Sequence, residues 1–482
     1  MSKIIKNTFL YSIGNIIPQA AGFFLLPIYT RYLTPADYGI VSSMQVLNTI
    51  LAVFFTLAIE RSVYRLYWDY KTEKGKKDYL GSVVVALCSI ATIILLLLFL
   101  FKGFVGLIYK SIPFYPFYAY AIVTAYFSVL GLIPKIYLQL KQKAASFVIL
   151  SIMQFAANTT FILWFIVGLK AGAEGMLKGQ MLGYGVMLPV FLFIGFRIIN
   201  YTVNLSILRE SLKFSLPMIP ALLSAWVLNL SDRIFIERYF SLADVGIYSL
   251  GYKIAGLVLI LSSAFNMAYE PLFYNLANSD DQLMARKKLF FYNNTFVMVI
   301  LVICFFVSLF SKEAIVILLD ERYAEAYKIV PIIALAYFIS QAGGLMNRLI
   351  YQEKKTFALM IIVIFGALLN IGLNFLFVPP LGAYGAAYAT VLSFAGLFAV
   401  EYWYAKKCYF INYDWSKIIK GLLIAIPIAS TAYFIEVNIL LSLFIKLIVV
   451  SIASMFLYAR FGVQLKSVFA GKNNENELTD SI

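Results

Sequence analysis

Three ionisable residues lie within apolar stretches in the second half of the chain. Asp232 and Arg233 are adjacent, and Lys253 follows twenty residues after Arg233. A guanidinium offers forked N–H donors to phosphate oxygens, and an ammonium group offers a compact positive charge. Because a charge buried without a partner is costly, such groups usually face a cavity or one another. We therefore expect Arg233 and Lys253 to bind an anionic substrate. The alternative is that Asp232 pairs with one of these cations and only ties two helices together.

A second set of polar residues lies in the apolar stretch that begins near residue 36. Ser42, Gln45 and Thr49 have helical spacing and so share one face. Gln45 is a candidate substrate contact on this face, and helix–helix hydrogen bonding is the alternative. Arg61, at the end of the stretch, is either a further substrate contact or an anchor at the membrane surface.

Three carboxylates are candidates for coupling substrate movement to a cation. The chain has no histidine, so a buried carboxylate is the group left to carry H⁺ or Na⁺. Glu60 and Glu270 end matching apolar stretches, whereas Asp232 lies deeper in its own stretch. For the two glutamates, the alternative is bonding to neighbouring basic groups at a helix end. The sequence has no GxxxxGK[ST] phosphate loop, which ATP-driven movement would require.

The composition places these residues in a membrane protein. Of the 482 residues, 62% are hydrophobic and 13% are charged, and the mean hydropathy is +0.86. Apolar runs of about 20 residues, enough to cross a bilayer, recur along the chain. The net charge of +15 is spread over short links, which argues against a nucleic-acid partner and for the cytoplasmic rim of a membrane protein, next to membrane lipids. The three cysteines are scattered, so we expect no metal site and no cofactor.

The apolar runs predict fourteen transmembrane helices. With the N-terminus in the cytoplasm, 27 Lys and Arg residues fall at cytoplasmic ends and links and 10 at outer links, in agreement with the positive-inside rule. Both termini are therefore predicted to be cytoplasmic. Lys446 lies within a span, and we interpret it as a snorkelling lysine. The predicted spans cover residues 8–32, 36–60, 79–101, 114–134, 147–168, 175–196, 213–237, 243–268, 290–310, 327–347, 357–377, 382–404, 418–436 and 438–459.

Two parts of the chain repeat each other. Residues 31–42 read RYLTPADYGIVS and residues 238–249 read RYFSLADVGIYS, with seven of twelve positions identical at an offset of 207. The links GAEG at 172–175 and GAYG at 382–385 match at an offset of 210. Each copy would contain six helices, so both copies have the same orientation in the membrane. This is a parallel repeat about an axis along the membrane normal.

The predicted fold is an all-α integral membrane protein with two six-helix lobes around a central cavity. The predicted lobes are residues 1–200 and 201–410, followed by an additional helix pair over 411–465. Residues 466–482 are predicted to form a disordered cytoplasmic tail. Proteins built from two similar halves in a membrane are usually transporters whose substrate passes between the halves.

Three segments and the helix layout resemble the polysaccharide flippases, of the O-antigen and capsule type, of the multidrug/oligosaccharidyl-lipid/polysaccharide exporter superfamily. The segments are NTFLYSIGNIIPQAAGFFLLPIYTRYLTPADYGI, SDRIFIERYFSLADVGIYSLGYKI and VPPLGAYGAAYATVLS. The resemblance implies movement of undecaprenyl-pyrophosphate-linked oligosaccharide repeat units from the cytoplasmic to the outer leaflet of a bacterial plasma membrane. It also implies a role in surface polysaccharide biosynthesis, in which the polysaccharide polymerase machinery is a potential partner.

Three other functions remain open at this point. A multidrug exporter of the same superfamily usually has twelve helices, so the extra helix pair and the basic residues in the spans argue against it. A flippase for the peptidoglycan lipid precursor is a close alternative. A membrane polysaccharide polymerase or ligase would need a long outer loop with catalytic groups, and the predicted outer links are short. We therefore expect a transporter that is not an enzyme.

Overall fold

A computed structural model of the chain describes residues 14, 18–19, 21–200, 202–408, 411–434 and 441–448. Within these residues the regular structure is helical, which confirms the predicted all-α class. The helices are α1 Leu26–Tyr32, α2 Pro35–Thr56, α3 Ile59–Leu66, α4 Glu73–Leu100, α5 Phe114–Leu140, α6 Ala144–Gly168, α7 Gly172–Ile198, α8 Leu205–Leu230, α9 Asp232–Tyr239, α10 Leu242–Ala255, α11 Leu257–Ala277, α12 Gln282–Leu309, α13 Ser311–Leu318, α14 Val330–Gln352, α15 Thr356–Ala405 and α16 Trp415–Phe434.

Ten helical segments of the described residues are long and apolar enough to cross a membrane. The multi-pass helical membrane fold is therefore confirmed. The first predicted span, 8–32, is described only in part, at residues 14, 18–19 and 21–32, and the last, 438–459, only at residues 441–448. The tail 466–482 lies wholly outside the described residues. The total of fourteen spans and the boundaries of the lobes stay predictions.

Two of the predicted continuous spans depart from a regular helix. The span 36–60 ends as helix α2 at Thr56, because Leu57 and Ala58 have φ values of 46° and 57°. The Thr56 hydroxyl accepts a hydrogen bond from the Ala58 N–H (3.2 Å) and so satisfies one backbone group at the break. The chain then forms the separate short helix α3. The span 213–237 is only locally irregular at Ser231, between α8 and α9, because φ and ψ of Ser231 are −66° and −23° and stay in the helical region.

The two copies of the repeated segment start their helices in the same way. At the start of α2, the Thr34 hydroxyl accepts from the Asp37 N–H, and the Asp37 carboxylate accepts from the Thr34 N–H. At the start of α10, Ser241 and Asp244 form the same reciprocal pair. This capping box fixes the first turn of each helix. We call the end of the bundle that carries both boxes the capping-box face.

The second repeated motif also adopts one conformation in both halves. Gly172 at the start of α7 has φ of 54°, and Gly382 within α15 has φ of 57°. Residues with a side chain rarely adopt these left-handed values, so glycine is required at both turns. The Cβ atom of any other residue at Gly172 would lie 3.1 Å from Oδ1 of Asp37, which brings the α7 turn against the first capping box.

Helix α15 is interrupted at Gly382, whose φ and ψ of 57° and −133° are not helical. Asn374 before the break and Thr390 after it both hydrogen-bond to the carboxylate of Asp232. In a straight helix these two residues would lie about 24 Å apart, at 1.5 Å per residue. The two parts of α15 therefore pack side by side, in agreement with the two predicted spans 357–377 and 382–404.

The two halves of the chain meet at the capping-box face. Helix α2 packs directly against α10, and the link between α13 and α14 reaches back to α1. There the Arg322 guanidinium donates to the carbonyl oxygens of Thr30 and Arg31, each at 3.1 Å. The Ser111 N–H donates to the Glu237 carboxylate across the same junction (2.6 Å). These contacts close this end of the bundle.

Candidate functional site

Asp232, the first residue of α9, lies at the centre of a buried polar cluster and is 0% exposed. Its Oδ2 accepts hydrogen bonds from the hydroxyls of Tyr248 (2.6 Å) and Thr390 (2.9 Å), and its Oδ1 accepts from the Asn374 amide (3.0 Å). These partners come from α10 and from both parts of α15. Three donors thus converge on one carboxylate, and Asn370 lies behind them, where its Oδ1 accepts from the Asn374 amide (3.0 Å).

Asp232 does not form the ion pair with Arg233 or Lys253 that the alternative interpretation of the sequence proposed. Among the described residues, no Lys or Arg nitrogen lies within 4.0 Å of its carboxylate. Neutral donors satisfy the oxygens instead. Asp232 therefore does not tie α9 to another helix through Arg233 or Lys253.

Arg233 is buried beside Asp232 but has tyrosine rings as its neighbours. It is 5% exposed, and its guanidinium lies 4.1 Å from the ring centre of Tyr252 and 5.3 Å from that of Tyr248. One guanidinium nitrogen donates to the carbonyl oxygen of Asn229 (2.7 Å). Contacts with aromatic faces stabilise a cation without neutralising it. Within the described residues, the positive charge of Arg233 has no carboxylate partner within 4.0 Å.

Tyr248 and Tyr252 are functional candidates that the sequence analysis missed. They lie one turn apart on α10, so their rings face the same side of the helix. Tyr248 contacts both members of the acidic and basic pair, through its hydroxyl to Asp232 and its ring to Arg233. Because the chain has 34 tyrosines, residue type alone does not distinguish these two from the others. Their spacing of four residues, directly after the repeated motif, is the signal that could have found them.

Lys253 and Gln45 lie at similar depth on the two helices that meet at the capping-box face. Gln45 is ten residues from Pro35, and Lys253 is eleven residues from Leu242, or about 15 Å and 16 Å along α2 and α10. The Gln45 side chain is exposed although it lies in the middle of a span, and Lys253 is partly buried. The structure does not bring either side chain into contact with Arg233.

Glu60, Arg61 and Glu270 lie away from the Asp232 cluster, towards the opposite end of the bundle. Arg61 has a 52% exposed side chain, and its Nε lies 3.9 Å from Oε1 of Glu60. Glu270 is exposed on α11. The predicted site residues therefore fall into three sets: Asp232 with Arg233, Gln45 with Lys253 at mid-depth, and Glu60, Arg61 and Glu270 at the far ends of the spans.

Lys446 is not a snorkelling lysine, and that interpretation was wrong. Its ammonium group is 4% exposed and lies 2.7 Å from the carboxylate of Glu313, which is 2% exposed. It also donates to the carbonyl oxygen of Leu309, and the Ser442 hydroxyl donates to Glu313 (2.6 Å). Because the acidic partner comes from α13, 133 residues away, the sequence near Lys446 gives no sign of it.

The described residues contain no group of three or more His, Cys, Asp or Glu side chains that could hold a metal ion. The Asp232 cluster has one carboxylate, with amide and hydroxyl oxygens around it. Its chemistry suits a proton or a small cation that prefers oxygen ligands, and it does not suit zinc.

The helical membrane fold and the two sequence profiles that match the chain define a membrane transporter of the multidrug/oligosaccharidyl-lipid/polysaccharide exporter superfamily. The chain belongs to the polysaccharide biosynthesis protein family, whose sequence profile matches residues 4–277. The MatE profile matches residues 217–376. The predicted resemblance is therefore confirmed.

Two curated relatives come from Haemophilus influenzae. The Lsg locus putative protein 1 is 27% identical over 281 residues, which cover 56% of this chain and 66% of the relative. An uncharacterized membrane protein is 22% identical over 279 residues, covering 56% of this chain and 65% of the relative. The alignments thus span slightly less than two thirds of each relative.

Two solved structures share the fold. The lipid II flippase MurJ, in an inward closed conformation, has a TM-score of 0.75 at 15% identity, covering 94% of this chain and 99% of MurJ. A Vibrio cholerae MATE transporter has a TM-score of 0.56 at 15% identity, covering 84% and 95%. Identities this low establish a common architecture only.

Proposed function

We propose that the protein is a flippase that moves undecaprenyl-pyrophosphate-linked oligosaccharide repeat units from the cytoplasmic to the outer leaflet of a bacterial plasma membrane. Membership of the polysaccharide biosynthesis protein family supports a role in making surface polysaccharide, such as O-antigen or capsule. The MurJ-like fold supports a lipid-linked substrate, because MurJ is a lipid II flippase.

The observation that best supports this proposal is the environment of the charged Arg233 side chain. Its guanidinium is buried against two tyrosine rings, and no carboxylate oxygen of the described residues lies within 4.0 Å of it. The adjacent Asp232 directs its oxygens to neutral donors instead. A buried charge without a direct ion pair is costly and is usually retained for function. A pyrophosphate would provide a direct anionic partner and would accept forked hydrogen bonds from the guanidinium.

The closed end of the bundle indicates from which side the substrate would enter. We assign the capping-box face to the outside of the cell because 27 Lys and Arg residues fall at the opposite ends and links and 10 at this side. Since α2 and α10 pack together at the capping-box face, the substrate would enter from the cytoplasmic side. Arg61 would meet the headgroup at the entrance, and Gln45 and Lys253 would meet it at mid-depth.

Asp232 is the proposed coupling residue, with either H⁺ or Na⁺ as the coupled ion. The buried Asn370 Nδ2 and Asn374 Oδ1 atoms have no hydrogen-bond partner. A cation bound to Asp232 could take Asn374 Oδ1 and the Thr390 hydroxyl oxygen as further ligands, whereas a proton would need only the carboxylate. Because Asp232 and Arg233 are adjacent, a change in charge on the carboxylate alters the electrostatic energy of an anion bound at Arg233.

The peptidoglycan lipid precursor is a second candidate substrate. The coverage of 94% of this chain by the MurJ fold favours it. Both substrates are lipid-linked, so Arg233 alone does not distinguish them. The two substrates differ in their sugars. The sugar portion of the lipid-linked glycan that accumulates without the protein therefore distinguishes them.

Deletion of the gene tests the proposed function. We expect a lipid-linked oligosaccharide repeat unit to accumulate on the cytoplasmic leaflet while surface polysaccharide is lost. The wild-type gene and Arg238→Ala should restore export, and Arg233→Ala should not. Arg238 is the matched control because it lies on the same helix, α9, with an exposed side chain. Accumulation of the peptidoglycan precursor would support the second candidate, and no accumulated lipid-linked glycan would contradict both.

A further inference from the structure

Glu401 is a buried carboxylate that the proposed transport path does not use. It lies one turn before the end of α15 at Ala405, towards the end of the bundle opposite the capping-box face, and is 2% exposed. Its carboxyl group faces α14 at Gly343. A Cβ atom added to Gly343 would lie 2.2 Å from Oε2 of Glu401, closer than any real contact. The carboxyl group thus occupies a notch that only glycine leaves open.

Glu401 has no counter-ion among the described residues. No Lys or Arg nitrogen lies within 4.0 Å of its oxygens. A polar neighbour of the carboxyl group is the amide of Asn347, one turn from Gly343 along α14. Arg348, the next residue, donates instead to Oδ1 of Asn266 (2.7 Å) and lies over the ring of Tyr269 (5.3 Å). Arg348 thus directs one guanidinium nitrogen to Asn266, while its buried Nη1 has no hydrogen-bond partner.

Aromatic side chains cover the site at this end of the bundle. Tyr413 is 3% exposed and donates its hydroxyl to the carbonyl oxygen of Ala342, next to the notch. Its ring centre lies 6.2 Å from that of Phe398 and 6.3 Å from that of Tyr402. Tyr413 is thus the titratable group packed nearest Glu401, and Arg348 on α14, Tyr269 on α11 and Tyr402 on α15 surround Tyr413.

An ionised carboxylate is disfavoured in such a place, because burial removes its water and no positive charge replaces it. A metal cation would need about six oxygen ligands, and the notch offers one carboxyl and one amide. A proton needs only the carboxyl group. We propose that Glu401 is a proton-binding site, separate from Asp232, that holds its proton while α14 and the second part of α15 are packed at Gly343 and releases it when they separate.

Infrared spectroscopy of the full-length protein in lipid tests this proposal. At neutral pH, we expect the carbonyl stretch of a protonated carboxyl group, which disappears in Glu401→Gln and persists in Asp232→Asn and Glu353→Gln. Glu353 is the matched control because it is exposed just after α14. Glutamine has the shape of a protonated glutamate, so Glu401→Gln should retain the thermal stability of the wild type. A spectrum unchanged by Glu401→Gln, or a wild type without the band, would overturn the proposal.

A second variant tests the link between the proton and helix packing. Gly343→Ala should displace the carboxyl group from its notch and give it access to water. We expect the Glu401 band to be lost at neutral pH and to reappear only in acid. Gly344→Ala is the control, because a Cβ atom there meets nothing within 4 Å. An unchanged band in Gly343→Ala would contradict the role of the packed helices.

Discussion

Gly39 of α2 and Gly246 of α10 pack backbone against backbone. A Cβ atom added to Gly39 would lie 1.9 Å from the carbonyl oxygen of Leu242, and one added to Gly246 would lie 1.9 Å from the carbonyl oxygen of Pro35. The two glycines hold the same position in the two copies of the repeat, 207 residues apart. The contact is therefore symmetric, and it sets how closely the two halves approach at the capping-box face.

Substitution of either glycine should open this face. In Gly39→Ala, the added methyl group has no space, so α2 and α10 must move apart, at a cost of about 1–3 kcal/mol. Ser42→Cys, buried at the same junction, should then react several-fold faster with an external membrane-impermeant thiol reagent. The three native cysteines are first replaced by alanine.

Gly372→Ala is the control for this experiment, because a Cβ atom at that position meets nothing within 4 Å. It should leave the labelling rate of Ser42→Cys unchanged. Equal rates in Gly39→Ala, Gly246→Ala and the control would mean that the glycine contact does not hold the two halves together.

The buried pair of Lys446 and Glu313 should stabilise the packing of the helical residues 441–448 against α13. Lys446→Met leaves the Glu313 carboxylate buried without a cation and should lower the free energy of unfolding by about 3–5 kcal/mol. Lys417→Met removes an exposed pair with Asp414 and should cost no more than about 1 kcal/mol. Denaturant titration in detergent measures both. The double variant Glu313→Gln/Lys446→Met should lose less free energy of unfolding than Lys446→Met alone. A larger loss in the double variant would contradict this explanation.

Much of the fold follows from local sequence signals. Apolar runs define the spans, and the repeat identifies the turns at Gly172 and Gly382, because glycine is the residue that adopts a positive φ most readily. The break after Thr56 is different. Leu57 and Ala58 are ordinary helix residues, and only tertiary packing holds them at positive φ.

The site was only partly predictable for a similar reason. Asp232 and Arg233 stand out because charged residues are rare in apolar helices. Their actual partners, Tyr248 and Tyr252, are common residue types in this chain. Glu401 shows the limit most clearly, since the notch that receives it is formed by Gly343, 58 residues earlier and on another helix. A contact between residues on two different helices leaves no periodic pattern in the sequence from which it could be predicted.

Asp232→Asn should abolish the dependence of transport on an ion gradient. The amide can neither take up a proton nor provide a negative charge for Na⁺, although it keeps the shape of the carboxylate. Glu60→Gln should retain gradient-dependent transport, because Glu60 lies far from the Asp232 cluster beside the exposed Arg61. The measurement is flipping in vesicles under an imposed pH or sodium gradient. Full gradient dependence in both variants would exclude coupling through these carboxylates.

Labelling from the two sides of the membrane tests the proposed orientation. A cysteine at Glu174, near the start of α7 at the capping-box face, should react with an impermeant reagent added outside the cell. A cysteine at Gly75, at the start of α4, should react only after permeabilisation. Both positions are placed in a background without native cysteines. External labelling at Gly75 would reverse the assignment of the two faces and with it the direction of substrate entry.

The most direct measurement of the central claim is flipping of the purified lipid-linked oligosaccharide in vesicles that contain only this protein. Wild type and Arg238→Ala should move the substrate at equal rates. Arg233→Ala should be inactive although it inserts and folds, because the pyrophosphate loses its counter-charge, and Arg233→Lys should recover part of the rate without the forked donors. Lys253→Ala should also be inactive. Wild-type flipping rates in both Arg233→Ala and Lys253→Ala would contradict the account.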